Sequence, residues 1–82
     1  MRVFIVDDSS LVVERLADLL EEVPGAVLVG KASDVPHAIH GIRAVKPDAL
    51  ILDLQMPGGS GLDVLRAIRN DYPQLRILIC TN

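Results

Sequence analysis

The sequence predicts an α/β domain, a parallel β-sheet with helices packed on it. Three observations carry that expectation. The hydrophobic period switches repeatedly between that of a strand and that of a helix. The strand-like runs, such as Ala49-Leu50-Ile51-Leu52, are apolar at successive positions, as strands buried on both faces must be. Between consecutive runs lies an amphipathic stretch long enough to cross over and begin a parallel neighbour.

Arg2-Val3-Phe4-Ile5-Val6 is β-branched and aromatic and ends at Asp7-Asp8, so residues 2–6 read as a buried strand. Residues 9–23 read as an amphipathic helix. Its expected buried face is Val12, Leu16, Leu19, Leu20 and Val23, with Glu14, Arg15, Asp18, Glu21 and Glu22 in solvent. Pro24-Gly25 stops it. Residues 26–32, centred on Val27-Leu28-Val29, form the second strand. Asp34 is the expected N-cap of a second helix whose apolar face is Val35, Ala38, Ile39, Ile42 and Val45. Pro36 falls in its first turn, where no intrahelical N–H bond is lost, and Lys46-Pro47 closes it. Residues 48–54 are the third strand and residues 55–59 a loop. Ser60 then caps a third helix, with Asp63 at capping-box spacing and Leu62, Leu65 and Ile68 facing inward. Tyr72-Pro73 ends that helix, and residues 76–80 are the fourth strand. The order is β-α-β-α-β-α-β in one domain spanning residues 1–82.

Composition narrows the function. At 82 residues the chain has room for one core and hides only about 60% of its unfolded surface, so its stability is expected to be marginal. Half its residues are hydrophobic, which excludes disorder, yet no apolar run approaches membrane-spanning length. A net charge of −3 and two aromatics, Phe4 and Tyr72, exclude a direct nucleic-acid interface. A single cysteine and an acid at position 7, where a signal peptide would be apolar, set the expected location as the cytoplasm. Cys80 is expected to be a buried apolar filler, and His37 and His40 to be surface residues. Gly58, Gly59 and Gly61 lack dinucleotide-fingerprint spacing and serve the turn.

In an open α/β sheet, ligands bind outside the carboxyl ends of the strands. Asp7 and Asp8 close the first strand, and Asp53 lies near the end of the third. A doubly wound sheet of flavodoxin-like order, 2-1-3-4, places those two strands side by side, about 4.8 Å apart. The three carboxylates then converge and repel. Capping a helix accounts for one such aspartate but not for three at one edge. A hard divalent cation with oxygen ligands resolves the conflict, and Mg²⁺ (or Mn²⁺) is the expected ion.

These residues also carry a resemblance. Asp7-Asp8 after an apolar strand, Pro47-Asp48-Ala49-Leu50-Ile51-Leu52-Asp53-Leu54, the following Met56-Pro57-Gly58-Gly59-Ser60-Gly61-Leu62, and Thr81 after Ile77-Leu78-Ile79-Cys80 together resemble the receiver domain of two-component response regulators. The resemblance runs through the whole chain. It implies a phosphoacceptor signalling domain, not an enzyme beyond self-phosphorylation and self-dephosphorylation. Asp53 would take a phosphoryl group from a sensor histidine kinase or histidine phosphotransfer protein and switch an output domain or effector. Asp7, Asp8, Asp53 and the main-chain carbonyl of Gln55 would hold the metal, Asp7 mainly through a water. Thr81 would contact the phosphoryl group and act as the switch.

A complete receiver continues with a fourth helix, a fifth strand carrying a lysine, and a fifth helix, none of which falls within these 82 residues. Two consequences are expected: impaired phosphorylation, and self-association to a homodimer or higher oligomer through the apolar fourth strand. Two other classes remain open on the residues alone. An aspartate-nucleophile phosphohydrolase would carry a second Asp two residues after the first, where Ser9 and Gln55 stand here. A phosphorylation-independent receiver-like interaction module would use the surface without the acids.

Overall fold

A computed structural model of the chain describes residues 1–56 and 59–80. Four parallel strands make the main sheet: β1 (Arg2–Val6), β2 (Val27–Ala32), β3 (Ala49–Asp53) and β6 (Arg76–Cys80), in the order β2-β1-β3-β6. With β6 as the fourth strand of this sheet, this is the expected 2-1-3-4 order. Val6 lies opposite Ala32 on one side and Leu52 on the other, so β1 is central and its carboxyl end is flanked by both neighbours. On the far side of β3, Asp53 lies opposite Cys80.

Side chains alternate across the sheet, and the two faces are covered differently. Phe4, Val6, Leu50 and Leu52 pack with Ala38 and Ile42 of α2 (Val35–Val45) and with Val64 and Ile68 of α3 (Gly61–Ile68). Val3 and Ile5 pack on the opposite face with Val13 of α1 (Ser10–Glu21), joined by half-buried Leu16, Leu20 and Ile51. Helices on both faces of a parallel sheet make the fold the expected α/β, flavodoxin-like one.

Several expected details are corrected. The inward stripe of α1 is Val13, Leu16 and Leu20, whereas Val12, Leu19 and Val23 are exposed. The helix is rotated so that its narrow stripe meets the sheet face beneath it, and its remaining apolar side chains cover nothing among the described residues. On α3, Val64 and Ile68 are buried and Leu62 is exposed. This helix also ends at Ile68. The N–H groups of Asp71 and Tyr72 both return to the Ile68 carbonyl, and Pro73 disfavours helical geometry at Tyr72. In place of a plain loop, β4 (Gln55–Met56) and β5 (Gly59–Ser60) pair antiparallel, while Pro57 and Gly58 lie outside the described residues. Cys80 is half-exposed, because β6 is an edge strand.

Capping follows the sequence more closely. The Ser9 hydroxyl accepts from the Val12 N–H at 3.3 Å, and Asp34 accepts from the His37 N–H at 2.9 Å. Ser60 accepts from the Leu62 N–H, while Asp63 accepts from the Ser60 N–H, completing the capping box of α3. At the end of α2, Lys46 turns left-handed at φ 49° and donates to the Ile42 carbonyl. These caps fix where each connection crosses the carboxyl edge.

Candidate metal centre at the carboxyl edge of the sheet

Asp7 is the first residue after β1, and its N–H still donates to the Ala32 carbonyl of β2 at 3.0 Å. Asp53 is the last residue of β3. Because Val6 and Leu52 are opposite one another, the next residue on each strand arrives at the same place, and Asp8 follows. One carboxylate oxygen from each of Asp7, Asp8 and Asp53 lies within 4.8 Å of the others. Asp53 is 6% exposed and Asp7 9%, whereas Asp8 is open to solvent.

Local hydrogen bonds aim two of these carboxylates. The Ser9 N–H donates to Asp7 Oδ1 at 2.8 Å, and the Gln55 N–H donates to Asp53 Oδ1 at 3.0 Å. Each is a short side chain closing a turn on its own backbone, which holds the carboxylate without consuming its second oxygen. Among the described residues no ion pair reaches Asp7, Asp8 or Asp53. The donor set is all oxygen and carries a concentrated negative charge, so it fits a hard divalent cation such as Mg²⁺.

The first turn of α3 presses against the end of β3 at Gly61. Its N–H donates to the Leu54 carbonyl at 3.1 Å, and a Cβ placed there would lie 2.5 Å from the Asp53 carbonyl oxygen and 2.9 Å from the Leu54 Cα. Only glycine permits that approach, since both obstacles are backbone. On the other side, a cavity of about 320 Å³ opens beside Asp7 and Asp8, lined also by Glu14, Lys31 and Ser33. A larger cavity of about 630 Å³, at the opposite edge around Met1, Asp48 and Tyr72, holds no such group of ligands among the described residues.

The structure therefore brings together Asp7, Asp8 and Asp53 and sets Gln55 beside them, while Thr81 lies outside the described residues. His37 is exposed and its Nδ1 meets the Asp34 carboxylate at 2.7 Å. It shares no metal-ligand cluster with His40 among the described residues. Sequence reasoning had not singled out Lys31. Lys31 could have been found from register, since it lies opposite Ile5, two residues before Asp7. Ser9 supports Asp7 through its backbone N–H, which its residue type does not announce, and Gly61, expected to serve the turn, does so through the absence of a side chain.

Comparison with known proteins agrees with this geometry. The family model for the response regulator receiver domain matches residues 3–82. The chain is 38% identical over 82 residues to the DNA-binding transcriptional activator DevR/DosR of Mycobacterium tuberculosis, covering 38% of that protein. It is 39% identical to a protein-glutamate methylesterase/protein-glutamine glutaminase of Anaeromyxobacter dehalogenans, covering 22% of it. Among solved structures, the response regulator domain of Thermotoga maritima CheB superposes with a TM-score of 0.91 at 31% identity over 99% of this chain and 60% of that one. The isolated REC domain of RcsB from Salmonella enterica serovar Typhimurium, solved with the phosphomimetic BeF3-, gives 0.90 at 31% identity, with 99% and 61% covered. The chain thus spans less than two thirds of each of these relatives. With an acid cluster at the carboxyl edge of a β2-β1-β3-β6 sheet and a family match from residue 3 to residue 82, the chain belongs to the response regulator receiver domain family of two-component signalling.

Proposed function

We propose that this chain is a phosphoacceptor switch in which Asp53 takes a phosphoryl group from a phosphohistidine on a sensor kinase or histidine phosphotransfer protein. The observation that carries the reading is the convergence of Asp7, Asp8 and Asp53 within 4.8 Å. In the transfer, an Asp53 carboxylate oxygen bonds to phosphorus as the phosphorus–nitrogen bond of the donor breaks, leaving neutral imidazole after protonation. Asp7, Asp8, Asp53 and the Gln55 main-chain carbonyl are the residues that would hold Mg²⁺. When bound, the ion neutralises charge on the phosphoryl oxygens. The Gln55 N–H holds one Asp53 oxygen at 3.0 Å, which leaves the other to act as the nucleophile. Thr81 follows β6 directly, so its proposed contact with the phosphoryl group would link the site to that edge strand. The switch acts on an output domain or effector, in the cytoplasm.

The test is to incubate the chain, and a longer form that continues through the lysine-bearing fifth strand of a complete receiver, with a small phosphodonor, with and without Mg²⁺, and to look for an acid-stable, base-labile label on the longer form. The expected label requires Mg²⁺, disappears with a chelator and is absent in Asp53→Asn. Continuous phosphate release without a lasting adduct would point to a phosphohydrolase, and no label at all would leave an interaction module.

A further inference from the structure

Strand β2 does not run in even register with β1. Val3 lies opposite Leu28, but Phe4 lies opposite Gly30, so β2 holds one extra residue at Val29. A bulge of this kind re-aims the side chains that follow it, because strand residues alternate between faces. Leu28 packs on the α1 face with Val3 and Ile5. Regular alternation would send Lys31, three positions later, to the α2 face. With the bulge it lies opposite Ile5, on the α1 face, and Gly30 takes the α2 side. There an added Cβ would come within 2.5 Å of the Phe4 ring, so glycine lets the bulge close against the core.

The α1 face puts Lys31 between two sets of carboxylates. Asp7 stands two residues beyond Ile5 and shares its face, roughly 8 Å from Lys31 between Cα atoms of neighbouring strands. One cavity of about 320 Å³ is lined by Lys31 with Asp7, Asp8 and Glu14. A second of about 320 Å³ is lined by Lys31 with Glu14 and Asp18, which lie one turn apart on α1. Among the described residues Lys31 is the only cation bordering either cavity, and it forms an ion pair with none of these four acids. The whole seam is built from β1, α1 and β2 and the residues that directly follow the two strands.

We propose that Lys31 is a tethered cation that competes with the metal for Asp7 and Asp8. It leans toward them in the metal-free chain and turns to Glu14 and Asp18 when a divalent ion is bound. Carboxylates that converge within 4.8 Å repel one another, and an ammonium at their rim offsets part of that repulsion. A divalent ion brings twice the charge to the same oxygens and displaces it. Glu14 and Asp18 then give the displaced ammonium a second set of partners. Lys31 thereby sets how much Mg²⁺ the site needs, and through the metal when Asp53 is ready to accept a phosphoryl group. Only that last consequence rests on the phosphoacceptor reading; the competition needs the metal centre alone.

The test is calorimetric titration with Mg²⁺, using the longer form described above. All the substituted positions are exposed, so the fold is expected to persist. Lys31→Gln should tighten binding by about two- to fivefold, the scale of one exposed charge pair. Lys31→Arg should keep the unaltered affinity, and salt at about 1 M should abolish the gain seen in Lys31→Gln. Glu14→Gln combined with Asp18→Asn should weaken binding, because Lys31 is left with Asp7 and Asp8 as its only partners. The same pair of changes should matter less in a Lys31→Gln background. Equal effects in both backgrounds overturn the exchange between acids, and unchanged affinity in Lys31→Gln overturns the competition. No Mg²⁺ binding by the unaltered protein overturns the metal centre and the competition together. The expected Lys31 effects without any phosphoryl label support the competition and overturn the phosphoacceptor reading alone.

Discussion

The two faces of the sheet differ in how completely they are closed. Toward α2 and α3, Phe4, Val6, Leu50 and Leu52 of the central strands are all at or below 2% exposure, and they meet fully buried Ala38, Ile42, Val64 and Ile68. Toward α1, Val3, Ile5 and Val13 are buried, but Leu16, Leu20, Leu28 and Ile51 are only partly so, and Leu78 stands open. The acid cluster belongs to β1 and β3, the two strands covered on both faces. Carboxylates that repel one another need backbone that does not yield, and the closed face supplies it.

The largest expected effect breaks this comparison directly. Leu50→Ala, on the closed face, should cost about 2–5 kcal/mol, whereas Leu16→Ala, half-buried on the open face, should cost about 1–2. Urea unfolding followed by circular dichroism measures both, and equal losses would erase the distinction. Hydrogen exchange sharpens it: amides of β1 and β3 should exchange slowest and those of β6 fastest among the sheet strands.

Gly61→Ala comes next. The added Cβ meets the Asp53 carbonyl oxygen and the Leu54 backbone, so stability should fall by about 1–3 kcal/mol. Mg²⁺ affinity should also fall, by about tenfold or more, because the group that supports Asp53 has moved. Normal affinity in a destabilised variant would show that α3 does not position Asp53.

The smallest effects lie at the helix caps, one on each face. Asp34→Ala, which removes the 2.9 Å cap of α2, should lower stability slightly, and Ser9→Ala, with a 3.3 Å cap on α1, should lower it less. The His37 backbone N–H, and then its ring, hold the Asp34 carboxyl below the usual carboxylate range. A carboxylate whose pKa is lowered on folding stabilises the native state above its unfolded value, near 3.9, and loses that contribution as pH falls through the lowered folded value. The His37 amide resonance should therefore report an acid midpoint below that of a model aspartate. A midpoint at the model value would show that the cap is not formed.

Much of the fold was legible in the sequence because it rests on local signals. Apolar strands, amphipathic stretches and capping residues such as Asp34 and Ser60 act within a few positions of where they stand. The acids were legible as well, since Asp7, Asp8 and Asp53 each end a strand. The orientation of a helix was not. Which stripe of α1 turns inward depends on the one sheet face it meets, so Val13 displaced Val12 and Leu19. The small β4–β5 hairpin and the early end of α3 likewise depend on what the chain packs against.

From the order of residues alone came the alternation of strands and helices, their caps, and three carboxylates at strand ends, because period and capping are short-range properties. Tertiary structure alone decided that those carboxylates lie within 4.8 Å, that Gly61 backs Asp53 and that Lys31 borders the cluster. Those facts depend on strand register and on which faces meet, and residues far apart in the chain set both.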